Sequence, residues 1–135
     1  MSTRSNYAPL EIMLVEDNAN FAESVKEFIA QVKGVRLVAH ATSGPDAIGS
    51  YLRHLPHLVL MDISLGGMSG FDIAKHILSL NQPPVLVFLS MHDTQPYREK
   101  AKRLGADGFI SKSNFVADLF PLIDQLIEKR LLQHQ

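Results

Sequence analysis

The sequence predicts an α/β protein of the (βα)₅ kind, a doubly wound parallel sheet with helices on both faces. Three observations carry this. Short apolar runs alternate with amphipathic stretches from Leu10 onward. The runs beginning at Ile12, Leu58 and Val85 are apolar at consecutive positions, as expected of strands covered on both sides. The stretches between runs repeat apolar residues with a helical period and carry helix start and stop signals.

Taken in order, residues 1–9 read as a flexible, polar lead-in without the apolar segment of a secretory signal. Ile12-Met-Leu-Val15 is the first strand. Phe21, Val25, Phe28, Ile29 and Val32 follow i, i+4, i+7, i+8, i+11, one buried stripe of a first helix that Gly34 is expected to stop. Val35-Arg-Leu-Val-Ala39 is the second strand. Ser43-Gly-Pro45 opens a second helix, with proline where a missing N–H is harmless. Leu58-Val-Leu-Met61 is the third strand, and Ser69-Gly-Phe-Asp72 opens a third helix that Asn81-Gln-Pro-Pro84 ends. Val85-Leu-Val-Phe-Leu89 is the fourth strand, and a fourth helix spans about Thr94 to Leu104, closed by Gly105. Gly108-Phe-Ile110 is the fifth strand. Phe115, Leu119, Leu122, Ile123, Leu126 and Ile127 stripe a fifth helix to about Leu131, in which Pro121 is expected to cause a kink. No repeat, low-complexity segment or internal linker interrupts this, so residues 10–131 read as one domain and 132–135 as a tail.

Composition bounds the function. The chain has 135 residues, 46% of them hydrophobic and 20% charged, enough apolar material for one core. The net charge of −1, with Lys and Arg scattered, is no footprint for nucleic acid or an anionic membrane. The apolar runs are far shorter than the roughly 20 residues of a membrane span, so a cytoplasmic location is expected. With no cysteine, disulfides, thiolate metal sites and thiol catalysis are excluded. His40, His54, His57, His76, His92 and His134 are scattered, without metal-ligand spacing.

In doubly wound sheets ligands sit outside the carboxyl ends of the strands. The first strand delivers Glu16 and Asp17 there, the third Asp62, the fourth Ser90 and the fifth Lys112. Taken singly, an Asp at a strand end is commonly a cap, and Glu16-Asp17 resemble first-turn acids. Taken together, three carboxylates at one crevice repel unless a cation compensates. An all-oxygen donor set favours Mg²⁺, or Mn²⁺, over zinc or copper. Asp62 is then the candidate nucleophile for a phosphoryl group, Lys112 a point charge for its oxygens or a resting partner for Asp62, and Ser90 a hydrogen-bond donor to it.

From about Leu10 to Leu131 the chain resembles the response-regulator receiver family of two-component signalling. The carrying residues are Leu14-Val-Glu-Asp17, Leu60-Met-Asp-Ile63, Gly67-Met-Ser-Gly-Phe-Asp72, Leu89-Ser90 and Gly105-Ala-Asp-Gly-Phe-Ile-Ser-Lys112. The resemblance implies a flavodoxin-like sheet of order 2-1-3-4-5. It implies that Asp17 ligates Mg²⁺ directly, that Glu16 acts through water or neutralises the site, and that the Ser64 backbone carbonyl is a further ligand. Asp62 would take phosphate from a sensor histidine kinase or a histidine phosphotransfer protein, with Ser90 and Lys112 on the phosphoryl oxygens. Phe109 matches an aromatic switch position coupled to Ser90. The face of helix four, strand five and helix five would be the readout, with a homodimer as one outcome. Such domains are often joined to a helix-turn-helix output domain. None follows here, since the chain stops four residues after Leu131, and a stand-alone receiver and a fragment of a larger regulator both remain open.

Three departures stand out. Gly66 replaces the family's usual proline, so the loop after Asp62 is expected to be more mobile. Met91 replaces a small residue and is expected to narrow access to Asp62. Ser64 and His92 occupy positions that influence how water reaches the phosphoryl group. A haloacid-dehalogenase-type phosphatase would need a second Asp two residues after the nucleophile, where Ser64 stands. A flavodoxin-like electron carrier would need a phosphate-cradling loop after strand one, where Glu16-Asp17 would repel the phosphate. A receiver fold that binds without being phosphorylated is disfavoured by the complete site, though Met91 keeps it open.

Overall fold

In the computed structural model, which describes residues 8–92 and 94–133, ten main elements alternate strictly between strand and helix. Residues 1–7 of the expected lead-in, and His134 with Gln135, lie outside the described residues. The strands are β1 (Leu10–Val15), β2 (Val35–Ala41), β3 (Leu58–Asp62), β4 (Val85–Ser90) and β5 (Gly108–Ser111). The helices are α1 (Ala19–Ala30), α2 (Gly44–His54), α3 (Gly70–Leu78), α4 (Gln95–Leu104) and α5 (Phe115–Gln133). The sheet is all parallel, in the order β2-β1-β3-β4-β5.

Strand alternation sorts the core into two layers. Met13, Val15, Val59, Met61, Leu86 and Phe88 face α2, α3 and α4, meeting Tyr51, Phe71, Ile77 and Ala101. Ile12, Leu14, Leu58, Leu60, Val87, Leu89 and Ile110 face α1 and α5, meeting Val25, Ile29, Leu119, Ile123 and Ile127. Both faces of β1, β3 and β4 are covered, which is why their sequences are apolar without alternation. Every residue of β3 is buried, so truncation of Leu60 or Met61 to Ala costs about 2–5 kcal/mol.

Side-chain caps start three helices. Asn18 accepts from the Phe21 N–H at 2.9 Å, Ser43 from Asp46 at 3.3 Å and Ser69 from Phe71 at 3.1 Å. Gly105, at φ 92°, closes α4 in the left-handed conformation. Three local expectations change. The first helix ends at Ala30, tightened by Gln31 and Val32 N–H bonds to Phe28 and Ile29, and Gly34 instead turns the chain into β2. α5 runs unbroken through Pro121 and takes in two residues of the expected tail, Leu132 and Gln133. Pro121 is on the exposed side, where the Ala117 carbonyl that loses its partner meets water.

The loop after Asp62 is the third. Ser64–Leu65 and Met68–Ser69 pair antiparallel around Gly66 and Gly67, whose φ values of 34° and 88° are the positive pair of a type I′ turn. Gly66, which stands where the family usually has proline, takes the first position of this turn at positive φ, which proline, fixed near φ −65°, could not adopt.

At the amino ends of the strands, His57 ties three elements together. Its backbone bridges Glu11 and Val85, its Nδ1 accepts from the Glu11 N–H at 2.8 Å, and its Nε2 lies 2.9 Å from Arg130 of α5.

Candidate functional site

The carboxyl ends of the strands carry the charge, as the topology requires. Continuing the pleat of β1, β3 and β5 past Leu14, Leu60 and Ile110 puts Glu16, Asp62 and Lys112 on the α1–α5 side of the sheet. The same alternation in β4 and β5 puts Ser90, after Phe88, and Phe109, before Ile110, on the α2–α4 side.

Glu16 is fully buried. Its backbone is held by an N–H bond to Ala41 O at 3.0 Å and by His40 Nε2, which donates to Glu16 O at 2.9 Å. Its Oε2 accepts from the Asn18 N–H at 3.0 Å. Its Oε1 lies 2.7 Å from Lys112 Nζ but makes no directed hydrogen bond. The same ammonium stands 3.3 Å from Asp62 Oδ1. Lys112 therefore sits closer to Glu16 than to the Asp62 partner expected for it. Asp17 is exposed at the rim, and one oxygen from each of Glu16, Asp17 and Asp62 falls within 4.8 Å of the others.

One ammonium cannot balance three carboxylates. Asp62 shows the strain: its carboxyl is pushed up to about 7, first by burial and then by Glu16, against the pull of Lys112. A hard divalent cation fits this donor set, since it supplies the missing positive charge and takes oxygen ligands. Glu16, Asp17 and Asp62 are the side chains placed to hold it.

Glycine geometry protects the site. Gly70 donates its N–H to Ile63 O at 2.6 Å, and a Cβ added there would lie 1.9 Å from the Asp62 carbonyl oxygen. Gly66 brings the hairpin turn over Asp17, with an added Cβ 3.5 Å from Oδ2.

The Ser90 hydroxyl is buried and faces its own loop, donating to His92 O and accepting from the His92 N–H, both at 3.0 Å. Met91 is 70% exposed, pointing into solvent rather than folded over Asp62, and His92 is exposed too. The Ser64 N–H reaches toward Asp62 Oδ1 at a long 3.4 Å. Phe109 is half-buried, with the Arg98 guanidinium 4.9 Å above its ring. Sequence reasoning missed Gly70, whose need for a bare Cα comes from strand-to-helix approach. It also missed Phe21, which periodicity marks only as buried.

The family model of the response regulator receiver domain matches residues 12–124. The chain belongs to this family. Relatives include the response regulator UvrY of Escherichia coli, 26% identical over 103 residues, 76% of this chain and 47% of that protein. The transcriptional regulatory protein PdtaR of Mycobacterium tuberculosis is 27% identical over 121 residues, 90% of this chain and 58% of its own length. The chain thus spans about half the length of the curated relatives it matches. A two-component response regulator of the LuxR family from an Aurantimonas species superposes with a TM-score of 0.82 at 28% identity, covering 90% of this chain and 87% of that one. A CheY-like receiver domain from Methanospirillum hungatei, 18% identical with a TM-score of 0.80, covers 93% and 99% and shares the fold. As a receiver domain of two-component signalling, the chain has no helix among its described residues long and apolar enough to cross a membrane.

Proposed function

We propose that this receiver domain, taken as residues 10–131, accepts a phosphoryl group on Asp62 from a phosphohistidine of a sensor kinase or phosphotransfer protein. The observation that supports it most is the meeting of Glu16, Asp17 and Asp62 within 4.8 Å, with the Lys112 ammonium 3.3 Å from the Asp62 carboxylate.

In the reaction an Asp62 oxygen attacks phosphorus in line, the N–P bond of the donor breaks, and the imidazole leaves with the electron pair and takes a proton. Asp62 must be ionised to attack, and its elevated pKa means that the site alone disfavours that form. Mg²⁺ held by Asp17, Asp62, Glu16 and the Ser64 carbonyl would restore the anion and neutralise the transferring oxygens. Lys112 is buried beside the attacking oxygen and can follow the charge onto the phosphoryl group. Ser90 can donate to that group only by giving up the bond it donates to His92 O, which frees that carbonyl at the start of the loop into α4. Phe109, on the same side of the sheet, then fills the space by burial, since it has no hydroxyl to pair. That change alters the α4–β5–α5 surface read by an output domain, a partner or a second copy. Ser64, Met91 and His92 border the route of water and would set the lifetime of the aspartyl phosphate. The domain turns over no external substrate; it acts on its own Asp62, and the kinase would meet it in the cytoplasm.

Intact-mass measurement after incubation with acetyl phosphate or phosphoramidate and Mg²⁺ tests this. Wild type should gain one phosphoryl group and Asp62→Ala none. A gain that survives Asp62→Ala would place the acceptor elsewhere, and no gain with either donor would leave a receiver fold that is not phosphorylated.

A further inference from the structure

We infer that Phe21 is a positioning residue for Lys112: its ring face holds the ammonium against the carboxylates of Glu16 and Asp62 and keeps it there when the charge partner changes. The inference rests on the phospho-acceptor reading and deepens it.

Lys112 Nζ lies 4.8 Å from the centroid of the Phe21 ring, while facing Glu16 at 2.7 Å and Asp62 at 3.3 Å. The lysine side chain is 7% exposed, so the ring's negative face acts on a poorly solvated cation, where such contacts are strongest. The ring is itself fixed from two sides. The backbone N–H of Phe21 is capped by Asn18 Oδ1 at 2.9 Å, and Asn18 in turn donates its own N–H to Glu16 Oε2 at 3.0 Å. The turn that places one carboxylate therefore also places the ring. From the other side Phe115, three residues after Lys112, meets the Phe21 ring edge to face at 5.1 Å and 73°, and Phe28 backs Phe115 at 6.0 Å.

The chemistry explains why a ring suits this place better than a third carboxylate or an aliphatic wall. A lysine stem has four rotatable methylenes and gains no fixed direction from a point charge. Both anions pull the ammonium one way, and an arriving phosphoryl group pulls it another. A neutral ring stabilises the cation in either place and leaves its hydrogen-bond donors free. Leucine would fill the space without the quadrupole.

The test compares Phe21→Leu, Phe21→Tyr and Phe28→Leu with wild type, using phosphoramidate at saturating Mg²⁺ and intact mass against time. Phe21→Leu should slow phosphorylation of Asp62 roughly fivefold, while Phe21→Tyr, which keeps the ring, stays within about twofold of wild type. Phe28→Leu loosens the same aromatic cluster and should lower the unfolding midpoint while leaving the rate within about twofold. Independently of phosphorylation, the Lys112 Hε resonances should be shifted upfield beneath the ring in wild type and return downfield in Phe21→Leu. An unchanged rate and unchanged Hε shifts in Phe21→Leu would overturn the inference, and so would equal slowing by Phe28→Leu. Absence of any mass gain in wild type would instead defeat the acceptor reading on which it stands.

Discussion

Replacing Asp62 with Asn should stabilise the metal-free domain, and the gain should depend on pH in a defined direction. Asp62 is buried, and its carboxyl is moved from an ordinary 3.8 to about 7, chiefly by that burial. A carboxyl that holds its proton more tightly folded than unfolded makes the folded state the more protonated one between those values. Stability therefore falls as pH rises across that window, and the loss is complete above about pH 7. The full penalty is at most about 4 kcal/mol, shared with Glu16 and Lys112, whose charges help to set it. Asn cannot ionise, yet keeps an oxygen for the Ser64 N–H and leaves Glu16 to pair with Lys112. Urea unfolding in EDTA should then show Asp62→Asn more stable than wild type by up to about 4 kcal/mol at pH 8.5, a midpoint shift of about 2 M. At pH 4.5 the difference should shrink to about 1 kcal/mol. An Asn variant that is neutral or destabilising at pH 8.5, or a gain that does not vary with pH, would refute the idea that uncompensated charge is stored at Asp62.

Three other outcomes follow from the same geometry. Adding Mg²⁺ at a hundred times its dissociation constant should raise the wild-type stability at pH 8 by about 2.7 kcal/mol, and Asp17→Asn should remove most of that rise in the same urea titration. Gly70→Ala drives a methyl group into the Asp62 carbonyl and should cost about 3 kcal/mol or more by thermal unfolding, with loss of phosphorylation in whatever folds. Leu55 closes α2 at φ 45° while 64% exposed, so Leu55→Asn, which suits that conformation, should raise stability by up to about 1 kcal/mol in a calorimetric scan.

The parts of this structure that could be foreseen are those where one physical demand dominates. The runs at Ile12, Leu58 and Val85 are strands buried on both sides, and their short length, β-branched residues and alternation with helical stretches set them apart from buried helix segments. The convergence of Glu16, Asp62 and Lys112 follows from parallel topology, which brings the carboxyl ends of the strands to one edge. What escapes a reading of the sequence depends on atoms far apart along the chain, or on too few residues to show a period. The two-residue strands at Ser64 and Met68 have no pattern to read. The end of α1 at Ala30 lacks a glycine, so the nearest one, Gly34, is a false signal. Pro121 breaks a helix only where its neighbours cannot make up the lost bond, and on an exposed face water does so. The bond between Ser90 and its own loop, and the exposure of Met91, are rotamer choices that residue type leaves open.

The segregation of the core into two layers makes the length of each strand a matter of phase. Deleting one residue between Leu58 and Met61 would rotate everything downstream by half a pleat, sending the carboxylate of residue 62 away from Lys112 and apolar chains into the wrong layer. Only a deletion of two residues keeps the phase, and that would cut β3 from five residues to three. Residues 79–84, which join α3 to β4 at the opposite edge, carry no such constraint. Insertions and deletions should therefore gather there and at the other amino-end turns, leaving the strand lengths unaltered.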